Sequence, residues 1–243
     1  DFLKEEFRKR KRLCAVLGIS GGIDSALAAF LCKKAGLELY LVSMPYGKLD
    51  EKDNAKKIAR KLNLPKNRFI EINITEIINE SAKEIQMKIS IDRTDKGNIM
   101  ARTRMIILYS IARKLNGLVI GTENLSEYWL GYFTLYGDEA SDINPIAKLW
   151  KTQVWKLAEY LKMPNEILEQ EPSAELWKGQ TDEKEFGFTY READPILYLS
   201  CIKKYSKRKI IKNYGFDANL VELVLKRVKA TCYKRCSTPA ALI

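Results

Sequence analysis

Two hydrophobic periods alternate along the first two-thirds of the chain. Short apolar runs, bounded by small or polar residues, occur at 13–19, 37–45, 69–74 and 117–121. Between them lie longer segments with apolar side chains three and four apart. These are 25–35 (Leu27, Phe30, Leu31), 50–62 (Ala55, Ile58, Ala59, Leu62), 76–89 and 98–115 (Ile99, Met105, Ile106, Leu108, Ala112). The short runs read as strands and the longer ones as helices. Apolar strands that alternate with helices predict an α/β fold with a doubly wound parallel sheet covered on both faces. In such sheets the ligand crevice opens beyond the C-terminal ends of the strands, at a topological switch point. After residue 150 the character changes. Residues 151–161 read as an amphipathic helix, 168–187 as a polar, mobile loop, and 190–205 and 218–229 as helices. The helical tail looks too short for a core of its own, so residues 1–243 are expected to form one domain.

The first strand runs into Gly18-Ile19-Ser20-Gly21-Gly22-Ile23-Asp24-Ser25, and a helix follows. A small-residue turn between a strand and a helix N-terminus aims backbone N–H groups at an anion, most often phosphate. Ser20 and Ser25 add hydroxyl donors, and Asp24 puts a carboxylate where a phosphate-bound metal would sit. The octet is neither a P-loop, since no Gly-Lys-Ser/Thr follows, nor the G-x-G-x-x-G dinucleotide fingerprint. The competing reading is a glycine-rich turn with no ligand, and the dense run of Gly, Ser and Asp weighs against it.

Other segments bear on the same crevice. Gly121-Thr122-Glu123-Asn124-Leu125-Ser126-Glu127 follows the fourth strand. Glu127 is a candidate second carboxylate, because two carboxylates with phosphate oxygens and waters suit Mg²⁺. Arg102 and Arg104 lie two apart in the strongest helix, which Gly97 is read as opening. They diverge by about 200°, so either one can reach a given anion but not both. The aromatic segment from Gly131 to Asp138 suits stacking on a flat heterocycle or packing in a core. Lys151 starts a helix whose free N–H groups would point at the crevice. Residues 171–177 and 179–183 read as a flap that excludes water. Tyr233-Lys234-Arg235 is a further basic segment for a phosphate.

Charge and composition narrow the partners. The net charge is +11, from 42 Lys+Arg against 31 Asp+Glu. Such an excess fits nucleic acid or a polyanionic small molecule. The runs at 8–12 and 203–209 also read as ordinary solvated helix faces. Five scattered cysteines point to reduced thiols in a cytoplasm. Cys232 and Cys236 are half a zinc pattern with no second pair, and the chain has no His, so neither structural zinc nor a His-based triad is expected. No apolar run approaches ~18 residues, so no membrane-spanning helix is expected. The chain opens without Met or an apolar leader; some native N-terminal residues are expected to be missing.

Taken in order, these segments resemble the ammonia-dependent NAD⁺ synthetase family of the N-type ATP pyrophosphatase superfamily. The octet alone resembles the superfamily signature. The family resemblance adds Gly97-Asn98, Ala101 to Met105, Gly121 to Asn124, Ser126-Glu127, Gly131 to Asp138, Pro172-Ser173-Ala174 and Gln180 to Glu183. It implies an adenine nucleotide alpha hydrolase-like, Rossmann-like core to about residue 165, followed by a flap and helical extension. By the resemblance, Gly18, Ile19, Ser20, Gly21, Gly22, Ile23, Asp24 and Ser25 bind the ATP pyrophosphate, with Thr122, Lys151 and Ser173 contacting ATP. Asp24 and Glu127 bind Mg²⁺. Arg102 or Arg104, Asp138, Asp142, Tyr233 and Lys234 contact deamido-NAD⁺, and the dinucleotide site lies at a homodimer interface. Lys151 and Asp138 are the catalytic candidates. Lys151 offsets charge on the leaving pyrophosphate, and Asp138 takes a proton from ammonium. Leu135 and Tyr233 depart from the family pattern, in which many members carry Lys and His there. The chain has no room for the amidase domain of glutamine-using relatives, so ammonia is the expected nitrogen donor. The alternatives are an RNA-modifying enzyme of the same superfamily, which the charge favours, and a nucleotide-binding module without catalysis.

Overall fold

The computed structural model describes residues 1–47, 54–173 and 179–236. The predicted helix start at 50–53 and the predicted flap residues 174–177 lie outside them. Strands β1 (Cys14–Gly18), β2 (Glu38–Ser43), β3 (Phe69–Glu71) and β4 (Leu118–Ile120) form one parallel sheet in the order β3-β2-β1-β4. The first five helices are α1 (Phe2–Arg10), α2 (Ile23–Lys34), α3 (Asn54–Lys61), α4 (Thr75–Gln86) and α5 (Arg93–Lys114). They are followed by α6 (Leu125–Leu130), α7 (Lys151–Tyr160), α8 (Asn165–Leu168), α9 (Asp182–Phe186), α10 (Tyr190–Leu197), α11 (Lys207–Tyr214) and α12 (Ala218–Ala230).

Alternate strand residues go to opposite faces, as a two-residue period requires. Ala15, Leu17, Leu39, Leu41, Leu118 and Ile120 pack with residues of α1, α2, α3, α7 and α8. Cys14, Val16, Val42 and Val119 pack on the other side with residues of α4 and α5. This is the doubly wound α/β arrangement expected from the apolar strands. The chain moves from β1 to β2 and β3 on one side and returns to β4 on the other. The switch point therefore falls between β1 and β4, where the octet and the Gly121 segment emerge side by side.

The outer edge of β4 is closed by residues 142–143. The Val119 N–H donates to Asp142 Oδ2 at 2.8 Å, and the Asp142 N–H donates back to the Val119 carbonyl at 2.9 Å. The Gly121 N–H donates to the Ile143 carbonyl at 2.8 Å. At the opposite edge β3 is only three residues long.

Four elements depart from the sequence reading. Helix α5 begins at Arg93, so Gly97 lies inside it rather than at its start. Asp92 accepts from Thr94 N and Asp95 N, and the Asp95 side chain answers at Asp92 N, a complete capping box. Helix α6 carries no helical period in the sequence, and the structure adds it after β4. The predicted mobile loop at 168–187 carries α9, with Gln180, Asp182 and Phe186 buried. Phe186 stacks on Phe188 and meets the edge of Tyr132, which pins the segment. The tail also buries more than its length led one to expect. Phe186, Phe188, Tyr190, Ile196, Leu197, Ile210, Val221 and Val224 cluster with Leu130 of α6. Trp155 of α7 packs against both this cluster and the sheet core, joining tail to sheet.

Candidate nucleotide and cation site

The octet leaves β1 and enters α2 through Gly22, the N-cap residue, in extended conformation. Gly21 is held at φ 98°, and a Cβ on it would lie 2.9 Å from Asn54 Cβ; only glycine fits this turn. Ser25 Oγ accepts from Ser20 N at 3.3 Å, donates to the Gly22 carbonyl at 3.1 Å and lies 3.0 Å from Ser20 Oγ. Ser20 Oγ accepts from Gly22 N at 3.2 Å. The serines thus brace the loop from within, leaving a rigid cradle above the N-terminus of α2.

Asp24, in the first turn of α2, meets Glu127 of α6 and Lys151 of α7. Asn124 organises them. Its Nδ2 donates to Asp24 Oδ1 at 2.9 Å, and its backbone N–H donates to Glu127 Oε2 at 3.1 Å. Its own Oδ1 accepts from Ser126 N and Glu127 N at 3.0 Å each, capping α6. Each carboxylate therefore has one oxygen tied to Asn124. The other oxygens, Asp24 Oδ2 and Glu127 Oε1, converge on Lys151 Nζ at 2.5 and 3.2 Å. Burial works to lower the Lys151 pKa, but Asp24 and Glu127 outweigh it and hold the ammonium above the usual lysine range. Burial and then the Asp24 charge push the Glu127 acid well up, with Lys151 opposing.

The backbone N–H groups that were expected to face the crevice from α7 are already used. Lys151 N donates to Ser126 Oγ at 2.8 Å. Thr152 N donates to Asp194 Oδ2 at 2.9 Å, and Thr152 Oγ1 donates to the same oxygen at 2.7 Å. Asp194 Oδ1 accepts from Ser126 Oγ at 2.5 Å. This carboxylate of α10 thus fixes the start of α7, and with it the root of the Lys151 side chain. Asp182, 2% exposed, accepts from Tyr190 Oη at 2.9 Å through Oδ2 and also faces the Tyr132 hydroxyl, while among the described residues its buried Oδ1 has no hydrogen-bond partner. Its backbone N–H donates to the Pro172 carbonyl, which places Ser173 beside it.

A second polar group lies at the same end of the sheet. Burial, and then the Asp138 and Glu139 charges, push Glu123 up to about 8, and among the described residues its buried Oε1 has no partner. Asp138 accepts from Thr134 N at 2.9 Å. Asp138 is an exposed residue, yet the protein crowded around its carboxylate raises its pKa. Lys234 donates to the carbonyls of Gly131 (2.9 Å) and Phe133 (2.5 Å), and burial lowers its pKa while Asp138 opposes. Arg102 and Arg104 diverge as the helix period requires, Arg102 donating to the Leu135 carbonyl at 3.2 Å and Arg104 to that of Met44. Tyr132 and Phe133 of the aromatic segment serve packing, whereas Tyr136 is 63% exposed. Tyr233 is exposed, Thr122 is half-buried at the end of β4, and Asp142 spends its carboxylate on Val119.

Asp24 and Glu127 come together with Lys151 as expected. Asn124, Asp182, Asp194 and Glu123 were not singled out. Only Asn124 carried a readable signal, the capping-box spacing Asn124-x-x-Glu127. The donor set fits a small hard cation: two carboxylate oxygens already converge on a positive centre. Among the described residues no three such side chains form a complete metal cage, which suits a metal that draws its remaining ligands from phosphates and water.

A braced small-residue loop beside cation-holding carboxylates, at the switch point of a doubly wound sheet, defines a nucleotide-binding α/β protein of the phosphate-handling kind. The family is more specific. Residues 1–238 match the model of the NAD synthase family, and the chain belongs to it. It is 42% identical over 239 residues to the NH(3)-dependent NAD(+) synthetase of Fusobacterium nucleatum, spanning 97% of this chain and 90% of that protein. The corresponding protein of Thermococcus sibiricus is also 42% identical, over 97% of this chain and 91% of its own length. Among solved structures, NMN synthetase from Francisella tularensis superposes with a TM-score of 0.86 at 33% identity, over all of this chain and 94% of that one. The NH3-dependent NAD synthetase of Campylobacter jejuni, in complex with nitrate, gives 0.81 at 31% identity, over all of this chain and 95% of its own.

Proposed function

We propose that this protein is a ligase that amidates deamido-NAD⁺ to NAD⁺ with ammonia. ATP is split to AMP and pyrophosphate on the way. The nicotinate carboxylate attacks the α-phosphate, pyrophosphate leaves, and ammonia then displaces AMP from the acyl-adenylate. The observation that carries this reading is the convergence of Asp24 Oδ2, Glu127 Oε1 and Lys151 Nζ beside the octet. The RNA-modifying alternative is not favoured, since relatives named NH(3)-dependent NAD(+) synthetase match 97% of the chain.

Charge explains the division of labour. The octet's N–H groups and the N-terminus of α2 receive the pyrophosphate end of ATP. Lys151, kept protonated by its carboxylates, offsets charge on the leaving pyrophosphate. Thr122 and Ser173 lie at the ends of β4 and of the segment bonded to Asp182, on the ATP side. Asp24 and Glu127 would hold Mg²⁺, which when bound supplies Lewis-acid polarisation of the phosphates. The substrate carboxylate is ionised near neutral pH and needs no base, which suits a chain without His. Ammonium must lose a proton, and Asp138 is the acceptor in this reading. Arg102 or Arg104, Asp142, Tyr233 and Lys234 line the dinucleotide side, which we place at the interface of a homodimer. We place the protein in the cytoplasm. Its cysteines are free, with Cys14, Cys32 and Cys201 buried, and among the described residues no helix is long and apolar enough to cross a membrane.

A second reading shares the chemistry but takes a mononucleotide acid. The Francisella protein that this chain resembles is an NMN synthetase, and Leu135 leaves the dinucleotide side one cation short of many family members. The assay supplies Mg·ATP, ammonium and either deamido-NAD⁺ or its mononucleotide. NAD⁺ and stoichiometric pyrophosphate from the dinucleotide are expected, and Asp24→Ala abolishes both products. Turnover of the mononucleotide alone would transfer the assignment to the second reading. Turnover of neither acid would end both.

A further inference from the structure

The cation position of the site is contested within the chain itself. Asn124 fixes Asp24 Oδ1 and Glu127 Oε2, so the two free oxygens, Asp24 Oδ2 and Glu127 Oε1, point at one place. Lys151 Nζ is hydrogen-bonded to both. A divalent cation held by those oxygens and an ammonium held by the same oxygens repel one another and need the same lone pairs. The site therefore presents a choice between two cations, and the loser needs another counter-ion, since a charge stranded in a buried site is costly.

The structure contains that counter-ion. Lys151 Nζ lies over the ring of Tyr190, 5.3 Å from its centroid, and the hydroxyl of the same ring donates to Asp182 Oδ2. Among the described residues buried Asp182 Oδ1 has no hydrogen-bond partner, although the Tyr132 hydroxyl also faces this carboxylate. The four-carbon stem of Lys151 is flexible, and the Asp182 charge is near enough to act on its ammonium. Asp182 is bonded through its N–H to the carbonyl of Pro172, next in sequence to Ser173, which the proposed function puts on the ATP side.

We propose that Lys151 and a divalent cation are alternative occupants of the position between Asp24 Oδ2 and Glu127 Oε1, and that Asp182 receives the lysine when metal enters. Asp182 is then a positioning residue that acts through Lys151. Metal entry and delivery of the lysine toward the triphosphate are one exchange. The proposal rests on the reading of Asp24 and Glu127 as metal ligands.

The test is equilibrium binding of Mn²⁺, followed by electron paramagnetic resonance on the full chain without ATP. Removing the competitor in Lys151→Met, or in Lys151→Gln, which keeps a hydrogen-bonding tip, raises Mn²⁺ affinity at least about tenfold. Asp182→Asn lowers it by about five- to tenfold, because the expelled ammonium has no acceptor. In the Lys151→Met background Asp182→Asn has no further effect, since Asp182 acts only through the lysine. Unchanged affinity in both lysine variants overturns the exchange. An Asp182 effect that persists without the lysine overturns the role of Asp182. If the parent and both lysine variants bind no Mn²⁺, matching Asp24→Asn, the metal reading itself falls and takes the exchange with it.

Discussion

Replacing Asp194 tests whether the tail holds the active site in register. Its carboxylate, 4% exposed, accepts three hydrogen bonds, from Ser126 Oγ, Thr152 N and Thr152 Oγ1. Each bond to a charged acceptor is worth about 1.5–3 kcal/mol, but the three share one group and do not add. Burial opposes them by raising the Asp194 pKa. In Asp194→Ala the two hydroxyls can rotate toward other acceptors; the Thr152 N–H cannot. The net loss should be about 3–5 kcal/mol, as for breaking a buried charged network. At about 2–4 °C per kcal/mol for a domain of this size, Tm falls by about 6–20 °C. Asp194→Asn keeps the shape and one acceptor oxygen, and should lose about 1–3 kcal/mol. It should still fold, with turnover reduced about tenfold to a hundredfold because Lys151 is displaced at its root. Urea unfolding followed by tryptophan fluorescence gives the first quantity, and NAD⁺ formation gives the second. An Asp194→Ala protein within about 0.5 kcal/mol of the parent would refute the argument.

Other consequences are as direct. Glu123 titrates near 8 in the folded chain against an ordinary 4.5, so the folded state binds that proton more tightly than the unfolded one. Stability contributed at this position is then lost as pH rises from about 4.5 to about 8. Glu123→Gln should exceed the parent by a few kcal/mol at pH 9 and match it near pH 4; a gap independent of pH in urea midpoints would contradict the assignment. Gly131 caps α6 at φ 62°, and a Cβ there would lie 2.3 Å from Thr231 Cβ. Gly131→Ala should destabilise by about 1–3 kcal/mol through overpacking, and an unchanged Tm would show that the tail yields freely. Asp138→Asn should slow turnover at saturating ammonium, and full turnover would remove Asp138 as proton acceptor.

The sheet and its flanking helices were legible because strands buried on both faces leave apolar runs that polar helices interrupt. Leu13 to Leu17 and Leu118 to Ile120 are such runs. The octet was legible because its chemistry is local. What escaped was everything fixed by distant partners. Asp182 and Asp194 look like ordinary helix carboxylates until Tyr190 and Thr152 fold against them. Phe186, Phe188 and Tyr190 alternate with small or polar residues and carry no helical period, and Phe186 finds Tyr132 only in the tertiary structure. Helix α6 is six residues long, too short for a hydrophobic period, and the Asn124-x-x-Glu127 spacing was its one readable mark. The free N–H groups read at the start of α7 illustrate the same limit. A sequence shows that a helix begins, but not that Ser126 and Asp194 arrive to satisfy it.

The closed edge of β4 has a meaning for assembly and solubility. A sheet whose outer strands expose free backbone N–H and C=O groups invites a second copy to add on, edge to edge, without limit. Here residues 142–143 saturate one flank, and the other offers a strand of three residues. Edge-to-edge addition of a second copy therefore finds little free backbone on either flank of the sheet. The Asp142 carboxylate completes that border: without it the Val119 N–H is left open, while the backbone bonds of residues 142–143 to Val119 and Gly121 still cover the rest of the strand.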